Sequence, residues 1–369
     1  MRKKHFILMC IAIICMLVIF TACNKSDSLP RLSPQKYSSE KEYHEALLAK
    51  FVKANLLDQY GIHTNYIDNE QAAEVATGHE VLSESSGLLL RYFATKQQKK
   101  DFDALWKQTQ DTFNNETGFS YRYSPLYEKK YMINVAVDDL RIIRSLFEAY
   151  ESFSSSHYQE QALQYGQRFL DYNVIDNKMY NYYDEDFQLT NQFISLSYID
   201  LKTISLLAEH LNRSELYNNM LKISKTGYIS DEFPFYHTHY FYDTNEYQSD
   251  TINTVESLMT ILFLAEVGEQ NDKSIAYIKQ KLNNEELVGQ YDIDGTALNN
   301  VHSTAVYALS AMIGSQVGDK ELYNKSITLM EQQFILDEEH EMFGSYANKE
   351  TLQLYSYDNL LALLAYNYE

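Results

Sequence analysis

Two acidic residues stand at the starts of apolar segments, where a carboxyl group is partly removed from water. Glu84 precedes a run of three leucines, and Asp250 opens a mainly apolar stretch over about 250–267. Burial raises the pKa of a carboxyl group and keeps it protonated, as a general acid requires. Hydrolysis of a glycosidic bond with inversion needs an acid and a base about 6.5 to 9.5 Å apart. This pattern predicts Glu84 as the general acid and Asp250 as the general base.

A further acidic pair, Asp138 and Asp139, opens another apolar segment. Its carboxylates could hold a distorted sugar ring or orient a water molecule, so both are predicted to support the reaction. A structural role is the alternative for Glu84 and Asp138. Acidic side chains at a helix start cap free backbone N–H groups and interact favourably with the helix dipole.

Helices are expected to position these residues, because the chain has only 4 prolines and two kinds of helical periodicity alternate along it. Amphipathic helices are predicted at about 39–56, 98–113, 157–171, 213–224, 271–283 and 319–334. Helices that are apolar on nearly every side are predicted at about 84–95, 134–150, 192–210, 250–267, 301–315 and 356–367. The second kind must be buried. Six such pairs at a near-constant spacing predict an all-α fold, an (α/α)6 barrel of six inner and six outer helices, and a solenoid of stacked pairs is the alternative.

In such a barrel the segments that lead into the inner helices meet at one mouth. Polar residues that interrupt the apolar pattern there are candidates for the site, although about half of them are expected to be helix caps. They are Glu84, Asp138, Asp139, Asn191, Asp250, Asn253, Asn300, His302 and Asp358.

Two short segments carry a resemblance to a known family. Residues 83–90 read Ser-Glu-Ser-Ser-Gly-Leu-Leu-Leu, and residues 249–253 read Ser-Asp-Thr-Ile-Asn. They resemble the proton-donor and base motifs of the glycoside hydrolases of family 8, a group of endoglucanases, chitosanases and reducing-end xylanases. The resemblance extends over most of the chain, and it implies the same roles for Glu84 and Asp250. It also implies inverting endo-hydrolysis of a β-linked polysaccharide, with an exopolysaccharide as the expected type of substrate.

The same resemblance implies a set of residues that bind the sugar. Residues 118–123, Gly-Phe-Ser-Tyr-Arg-Tyr, are similar to the aromatic strip that lines the sugar subsites of the family, which assigns substrate contacts to Tyr121 and Arg122. Tyr198 matches a tyrosine that reaches the substrate. Tyr247 and Asn253, on either side of Asp250, are expected to bind the substrate as well.

The chain departs from the family at two of these contacts. Val137 stands where the family has the first Asp of a motif whose second Asp matches Asp139. Either Asp138 takes over that contact from one position away, or the contact is lost. Asn253 stands where the family has Arg, so a charged contact is missing. The proposed acid and base are kept, and we therefore expect the same chemistry on a different sugar.

The N-terminus predicts a lipoprotein signal peptide over 1–22. Three basic residues precede an apolar run of roughly 15 residues, which suits a signal and is short for a membrane span. Cys23 follows small residues, as the lipidated cysteine of a bacterial lipoprotein does, although Phe20 replaces the usual aliphatic residue. A flexible tether over 23–36 and one hydrolase domain over 37–369 should follow. The expected location is the outer face of the cell membrane, and an uncleaved anchor helix is the alternative.

The composition limits the partners of the domain. A net charge of -20 disfavours nucleic acid, and 32 Tyr against one Trp supply aromatic faces on which sugars stack. No cysteine remains after Cys23, so a thiolate metal site is excluded, and no cofactor motif is found. His237 and His239 are better explained by an aromatic sugar-binding loop than by a metal site. A monomer is expected, with an exopolysaccharide synthase complex at the membrane as a candidate partner.

Three classes of function fit these features. A lipid-anchored glycoside hydrolase is the leading one. A glycan-binding lipoprotein that has lost its chemistry would retain the fold, and the changes at Val137 and Asn253 are compatible with it. A polysaccharide lyase could use tyrosine and histidine as base and acid, but the acidity of the chain disfavours uronate substrates.

Overall fold

A computed structural model describes residue 32 and residues 34–71 and 75–368 of the chain. The chain forms two units, Met1–Tyr43 and His44–Glu369. The described part of the first unit contains a single 3-10 turn, Pro34–Lys36, and the start of a helix. The predicted signal peptide, Cys23 and most of the predicted tether lie outside the described residues.

Twelve α-helices occur in the described part of the chain. They are α1 (Glu40–Asn55), α2 (Ser83–Thr95), α3 (Lys99–Phe113), α4 (Ala136–Phe153), α5 (Ser156–Asn173), α6 (Leu201–Leu211), α7 (Ser214–Thr226), α8 (Thr254–Ala265), α9 (Asp272–Asn283), α10 (Thr304–Gln316), α11 (Lys320–Glu331) and α12 (Ser356–Ala365). Each corresponds to one predicted segment, in the predicted order. None of these helices combines the length and the apolar character needed to span a membrane.

The even-numbered helices are the more buried ones, except that α6, predicted to be apolar on nearly every side, buries only Leu201, Thr203, Ile204 and Leu207. In α10 every residue from Thr304 to Gly314 is buried, whereas α9 buries only Ser274, Ile278 and Leu282, which share one face. Helix α2 contacts α4 and α12, α10 contacts α8 and α12, and α6 contacts both α4 and α8. The contact between α12 and α2 joins the last buried helix to the first. A solenoid of stacked pairs would keep these two helices apart.

Close packing between α2 and α4 depends on a glycine. A Cβ atom at Gly87 would lie 2.9 Å from the Cβ atom of Arg141, which is closer than two carbon atoms can approach without a shift. The absence of a side chain at Gly87 therefore allows the first turns of the two helices to lie side by side. Glu84 and Arg141 belong to these neighbouring segments.

The prediction of a purely helical fold was incomplete, because twelve short strands occur in the described residues. Each lies between an odd-numbered helix and the next even-numbered one. They are β1 (Val81–Leu82), β2 (Arg122–Ser124), β3 (Lys129–Lys130), β4 (Val174–Ile175), β5 (Lys178–Met179), β6 (Tyr183–Asp184), β7 (Leu189–Thr190), β8 (Phe193–Ser195), β9 (His239–Phe241), β10 (Glu246–Gln248), β11 (Ile252–Asn253) and β12 (Gln290–Tyr291). All pairings are antiparallel, in sheets of order β1-β2-β3, β10-β9-β8, β11-β12, β4-β5 and β6-β7.

These strands explain the two largest errors in the predicted helix bounds. The helix predicted at 192–210 begins only at Leu201, because Phe193–Ser195 pairs with β9 and a 3-10 turn, Leu196–Tyr198, follows. The helix predicted at 250–267 begins at Thr254, because Ile252–Asn253 pairs with β12. In both cases a strand pairing over a long sequence separation replaces the first turns of the predicted helix.

Candidate active site

A cavity of 610 Å³ lies where the buried helices begin. Each even-numbered helix, or the turn just before it, contributes lining residues. The polar ones with ionisable side chains are Glu84, Tyr121, Asp138, Arg141, Tyr198, Glu256, Tyr357 and Asp358. The predicted convergence of polar side chains at the helix starts is therefore present.

One arginine joins two carboxylates in the wall of this cavity. Nη1 of Arg141 lies 2.9 Å from Oε1 of Glu84 and 3.0 Å from Oδ1 of Asp138. Asp138 and Arg141 are three residues apart on α4, which places both on one face of the helix. The Glu84 side chain is 27% exposed, against 8% for Asp138 and 5% for Arg141. Glu84 is therefore the member of the cluster that is most accessible from the cavity.

The electrostatics of the cluster favour retention of a proton. Burial raises the pKa of Asp138 well above its ordinary range, and the negative charge of Glu84 raises it further, against the opposing effect of Arg141. Burial alone would lower the pKa of Arg141, but the charges around it, Glu84 first, raise it instead. One guanidinium thus faces two carboxyl groups, and the buried one, Asp138, is the one that burial holds in the protonated form.

Tyrosine rings form part of the cavity wall. The guanidinium of Arg141 lies 5.9 Å from the centre of the Tyr357 ring. The hydroxyl of Tyr357 donates to Sδ of Met259 over 3.2 Å. Burial raises the pKa of Tyr198, and the charges of Asp138 and Glu84 raise it further, so its hydroxyl stays neutral beside the cluster. A wall of neutral tyrosines beside carboxyl groups suits a sugar ring, which has apolar faces and polar edges.

Glu256 is a third carboxyl group in the same cavity, and the sequence reasoning missed it. It lies in the first turn of α8 and is half-buried. Burial raises its pKa. Within the described residues its carboxylate has no hydrogen bond or ion pair. The signal that could have revealed it is its isolation, because Glu256 is the only charged residue in Thr254–Ala265.

Comparison with known proteins identifies the fold. No protein-family model matches the chain. The chain is 26% identical over 332 residues to YdaJ from Bacillus subtilis (strain 168), which is described as a candidate lipoprotein. The match covers 85% of this chain and 84% of YdaJ. A solved structure described as a novel alpha-amylase from Clostridium perfringens has a TM-score of 0.83 and 29% identity, covering 90% of this chain and 99% of that one.

Two further structures show the same fold at lower identity. PssZ from Listeria monocytogenes has a TM-score of 0.68 and 18% identity, covering 86% of this chain and 94% of that one. Endoglucanase Cel10 of Klebsiella pneumoniae, a family 8 glycosyl hydrolase, has a TM-score of 0.62 and 14% identity, covering 87% and 97%. This chain has the fold of the family 8 glycoside hydrolases. The resemblance inferred from the sequence is confirmed at the level of the fold.

Within this family 8 fold, Asp250 lies outside the lining of the cavity. It is exposed, four residues before the start of α8, and its charge acts on His239. Asn253 does line the cavity, but its side-chain oxygen accepts hydrogen bonds from the backbone N–H groups of Val255 and Glu256 at 2.9 and 3.3 Å. Asn253 is thus the N-cap of α8, the structural role expected for about half of the candidates.

Asp139 and Arg122 are placed differently from the prediction. Oδ1 of Asp139 accepts from the backbone N–H of Phe119 at 3.0 Å and Oδ2 from the amide of Asn134 at 2.8 Å, away from the cavity lining. Arg122 is 1% exposed and forms a bidentate ion pair with Glu80 at 2.7 Å. Arg122 is therefore not accessible to a sugar. Both residues instead hold the segment around β2 against its neighbours, a difference that the local sequence does not reveal.

The tyrosines predicted to bind sugar fall into two groups. Tyr121 and Tyr198 line the cavity with Glu84. Tyr247 lies on β10, where its hydroxyl donates to the carbonyl of Ile223 over 2.8 Å. It lines a separate cavity of 340 Å³ together with Tyr240.

The position of Val137 clarifies the departure from the family motif. Val137 and Asp138 both line the cavity, and the Asp138 carboxylate is bound to Arg141 there. Asp138 thus places a carboxylate in the cavity one position after Val137, and its replacement of the family contact stays a prediction.

His237 and His239 are engaged with protein groups. Nδ1 of His237 lies 3.2 Å from Oγ of Ser249, and the His239 ring packs edge-on against Phe193. In residues 34–71 and 75–368 no three His, Cys, Asp or Glu side chains are grouped closely enough to bind a metal ion.

Proposed function

We propose that this protein hydrolyses O-glycosidic bonds within a polysaccharide, with inversion at the anomeric carbon and with Glu84 as the proton donor. The observation that carries the proposal is the Glu84–Arg141–Asp138 cluster in the wall of the cavity. It combines an accessible carboxyl group with a buried partner that favours retention of a proton. General acid catalysis of this kind contributes about 10² to 10⁴-fold to a rate.

The three residues of the Glu84–Arg141–Asp138 cluster have different roles. Glu84 reaches into the cavity and donates its proton to the leaving oxygen as the glycosidic bond breaks. Asp138 is buried beside it, and burial together with the charge of Glu84 raises the pKa of Asp138, so Asp138 retains its proton. Arg141 holds both carboxyl groups in place and stabilises the carboxylate that remains after proton transfer. Tyr121 and Tyr198 supply ring faces for the sugar.

Inversion also requires a base on the other side of the sugar. The resemblance to family 8 gives this role to Asp250, which is exposed in the segment before α8. That assignment stays a prediction. Glu256, in the first turn of α8, is a second carboxyl group that follows Asp250 in the chain and lines the cavity.

The substrate is proposed to be a β-linked polysaccharide, cut internally. An endo-beta-1,4-glucanase from Acetobacter xylinum, among the structures of this fold, supports this choice. The C. perfringens structure, described as an alpha-amylase, makes an α-linked glucan the alternative that must be tested beside it.

We further propose that the protein is a lipid-anchored lipoprotein on the outer face of the cell membrane, attached through Cys23. The similarity to YdaJ, a candidate lipoprotein, supports this location. An enzyme held there would act on a polymer that leaves its own cell, close to an exopolysaccharide synthase. The proposed architecture is the (α/α)6 barrel, supported by the contact between α12 and α2.

The test measures new reducing ends from carboxymethyl cellulose, xylan, chitosan, soluble starch and the exopolysaccharide of the producing cell. Wild type should release them from at least one polymer, and Glu84→Gln should lose at least ~100-fold of that activity. Glu246→Gln, on the exposed edge of β10, is the matched control and should keep full activity. Full activity in Glu84→Gln would refute the assignment. Saturable binding without new reducing ends would indicate a glycan-binding protein, and products that absorb in the ultraviolet would indicate a lyase.

A further inference from the structure

Helix α8 faces α2 across the ring of buried helices. From α2 the contacts run through α4 and α6 to α8 in one direction, and through α12 and α10 to α8 in the other. Two helices therefore separate α8 from α2 on either side. The first turn of α8 carries Glu256, and the first turn of α2 carries Glu84. Both side chains line the same cavity, so it has a carboxyl group on two opposite walls.

Contacts one turn further along α8 fix the face on which Glu256 lies. Sδ of Met259 is 3.8 Å from Nη2 of Arg141 and 3.2 Å from the hydroxyl oxygen of Tyr357. Residues three apart share one face of a helix, so Glu256 projects from the face that meets the cluster. It lies about 4.5 Å nearer to the helix start than Met259 does. Glu256 is thus at the same level of the cavity as Glu84 and Asp138, which also lie in first turns.

The three carboxyl groups differ in their partners. Glu84 and Asp138 share Arg141, whereas Glu256 makes no hydrogen bond or ion pair through its carboxylate within the described residues. An ionised carboxylate without a protein partner is free to bind water. Glu256 opens an otherwise apolar helix, and partial desolvation of its charge costs free energy that packing does not offset. A functional role for this carboxylate would explain that cost.

We propose that Glu256 is the carboxylate that activates the attacking water, the role that the family resemblance gives to Asp250. The inference rests on the proposed hydrolase function and refines it. A sugar bound between α2 and α8 would have Glu84 at its glycosidic oxygen and Glu256 at the opposite face of the anomeric carbon. Inverting hydrolysis needs this opposition, with about 6.5 to 9.5 Å between the carboxyl groups to leave room for water.

Glu256 takes a proton from water while the water oxygen bonds to the anomeric carbon. The bond from that carbon to the glycosidic oxygen breaks, and the leaving oxygen takes the proton of Glu84. The products are a new reducing end, a new non-reducing end, a protonated Glu256 and an ionised Glu84. Exchange of protons with solvent restores both groups.

The burial of Glu256 agrees with this role. Its pKa is raised by desolvation, which makes the ionised form a stronger base than an exposed glutamate. A base must be ionised to act, so activity should fall as the pH drops through this raised pKa. The acid limb of the pH profile should therefore belong to Glu256, and it should disappear from the residual activity of Glu256→Gln.

The experiment compares variants on the polymer that wild type cleaves. Glu256→Gln should lose at least ~100-fold in kcat with KM nearly unchanged, and Asp250→Asn should lose much less. Glu256→Ala should regain turnover in sodium azide, because azide fits the vacated space and attacks without giving up a proton. Its product should be a glycosyl azide with the inverted configuration, identified by NMR. Glu246→Gln is again the matched control, and unchanged circular dichroism of each variant shows that the fold is intact.

The outcomes separate the inference from the function on which it rests. If Glu84→Gln is inactive while Glu256→Gln keeps its rate and Asp250→Asn loses it, hydrolysis stands and the inference fails. The absence of azide rescue in a folded, inactive Glu256→Ala variant also overturns it. If wild type releases no reducing ends from any of the polymers, the function and the inference fail together.

Discussion

Nη1 of Arg141 lies 2.9 Å from Oε1 of Glu84, and this contact ties the first turn of α2 to α4 at the cavity wall. The same nitrogen also lies 3.0 Å from Asp138. Because a single guanidinium serves two carboxyl groups, a change at Arg141 alters both the position of Glu84 and the protonation of Asp138. Substitution of Arg141 should therefore change both the geometry of the carboxyl cluster and the pH dependence of the activity.

Replacing Arg141 by methionine should shift the pH dependence of activity. Loss of the positive charge removes the influence that lowers the pKa of Asp138, so Asp138 holds its proton to higher pH. The basic limb of the profile of kcat/KM should move to higher pH, while the maximum rate falls because Glu84 loses its anchor. The measurement is the rate of release of reducing ends between about pH 4 and pH 9.

Arg141→Lys separates the two effects. Lysine keeps the charge but cannot bind two carboxyl groups through a planar fork. It should lower the rate and leave the basic limb close to that of wild type. An equal shift of the limb in both variants would show that the charge of Arg141 does not control the proton on Asp138.

Asp139 should make the stability of the fold depend on pH. Burial raises its pKa from 3.8 to about 6, in spite of the opposing effect of Arg168. The folded state thus binds this proton more tightly than the unfolded chain does. The resulting stabilisation is complete below the unfolded pKa and is lost as the pH rises through the folded pKa.

Comparison with Asp139→Asn isolates this contribution, because asparagine does not titrate. The free energy of unfolding of wild type minus that of Asp139→Asn should decrease by roughly 3 kcal/mol as the pH rises through this window. Urea unfolding at a series of pH values gives both quantities. A difference that is the same at every pH would contradict the raised pKa. The variant should also lose the hydrogen bond from Asn134, which adds a constant penalty.

The sequence predicts the helices better than the strands, for a physical reason. Apolar periodicity is a local property, and it locates α3, predicted at 98–113, to within a residue of Lys99–Phe113. The pairing of β8 with β9 joins Phe193 to Phe241 and depends on residues far apart in the chain. Such pairing has no local signature, so the helix that begins at Leu201 was predicted to begin too early, at residue 192.

The same limit affects the predicted site. Glu84 and Asp138 were identified because they directly open apolar segments, and both line the cavity. Asp250 was placed at the start of a helix that begins four residues later, at Thr254. This later start puts Glu256 in the first turn instead. Asp139 and Arg122 lie within segments that resemble sugar-binding motifs of the family. Only the tertiary packing shows that their side chains are buried in the protein.

Removal of Arg144 should destabilise the fold strongly. Its guanidinium lies 3.1 Å from Glu148, 3.5 Å from Asp200 and 3.2 Å from Glu266, and the four side chains are at most 14% exposed. Arg144→Met would leave buried carboxylates with too little positive charge. Breaking a buried ion pair from one side costs about 3 to 5 kcal/mol, because the remaining charge has no compensation. The free energy of unfolding from urea titrations should fall by that amount.

A surface ion pair provides the matched control for Arg144. Lys225 pairs with Glu269, and their side chains are 49% and 37% exposed. Solvent screens such a pair, so Lys225→Met should change the free energy of unfolding by less than about 1 kcal/mol. Equal effects of the two substitutions would mean that solvent reaches the Arg144 cluster. Helix α4 holds Arg144 against acidic residues at the ends of α6 and α8 and in its own next turn. The same helix presents Asp138 and Arg141 to the cavity earlier in its sequence. A loss of stability in Arg144→Met should therefore be accompanied by a loss of activity well below the unfolding temperature, whereas Lys225→Met should keep the activity of wild type.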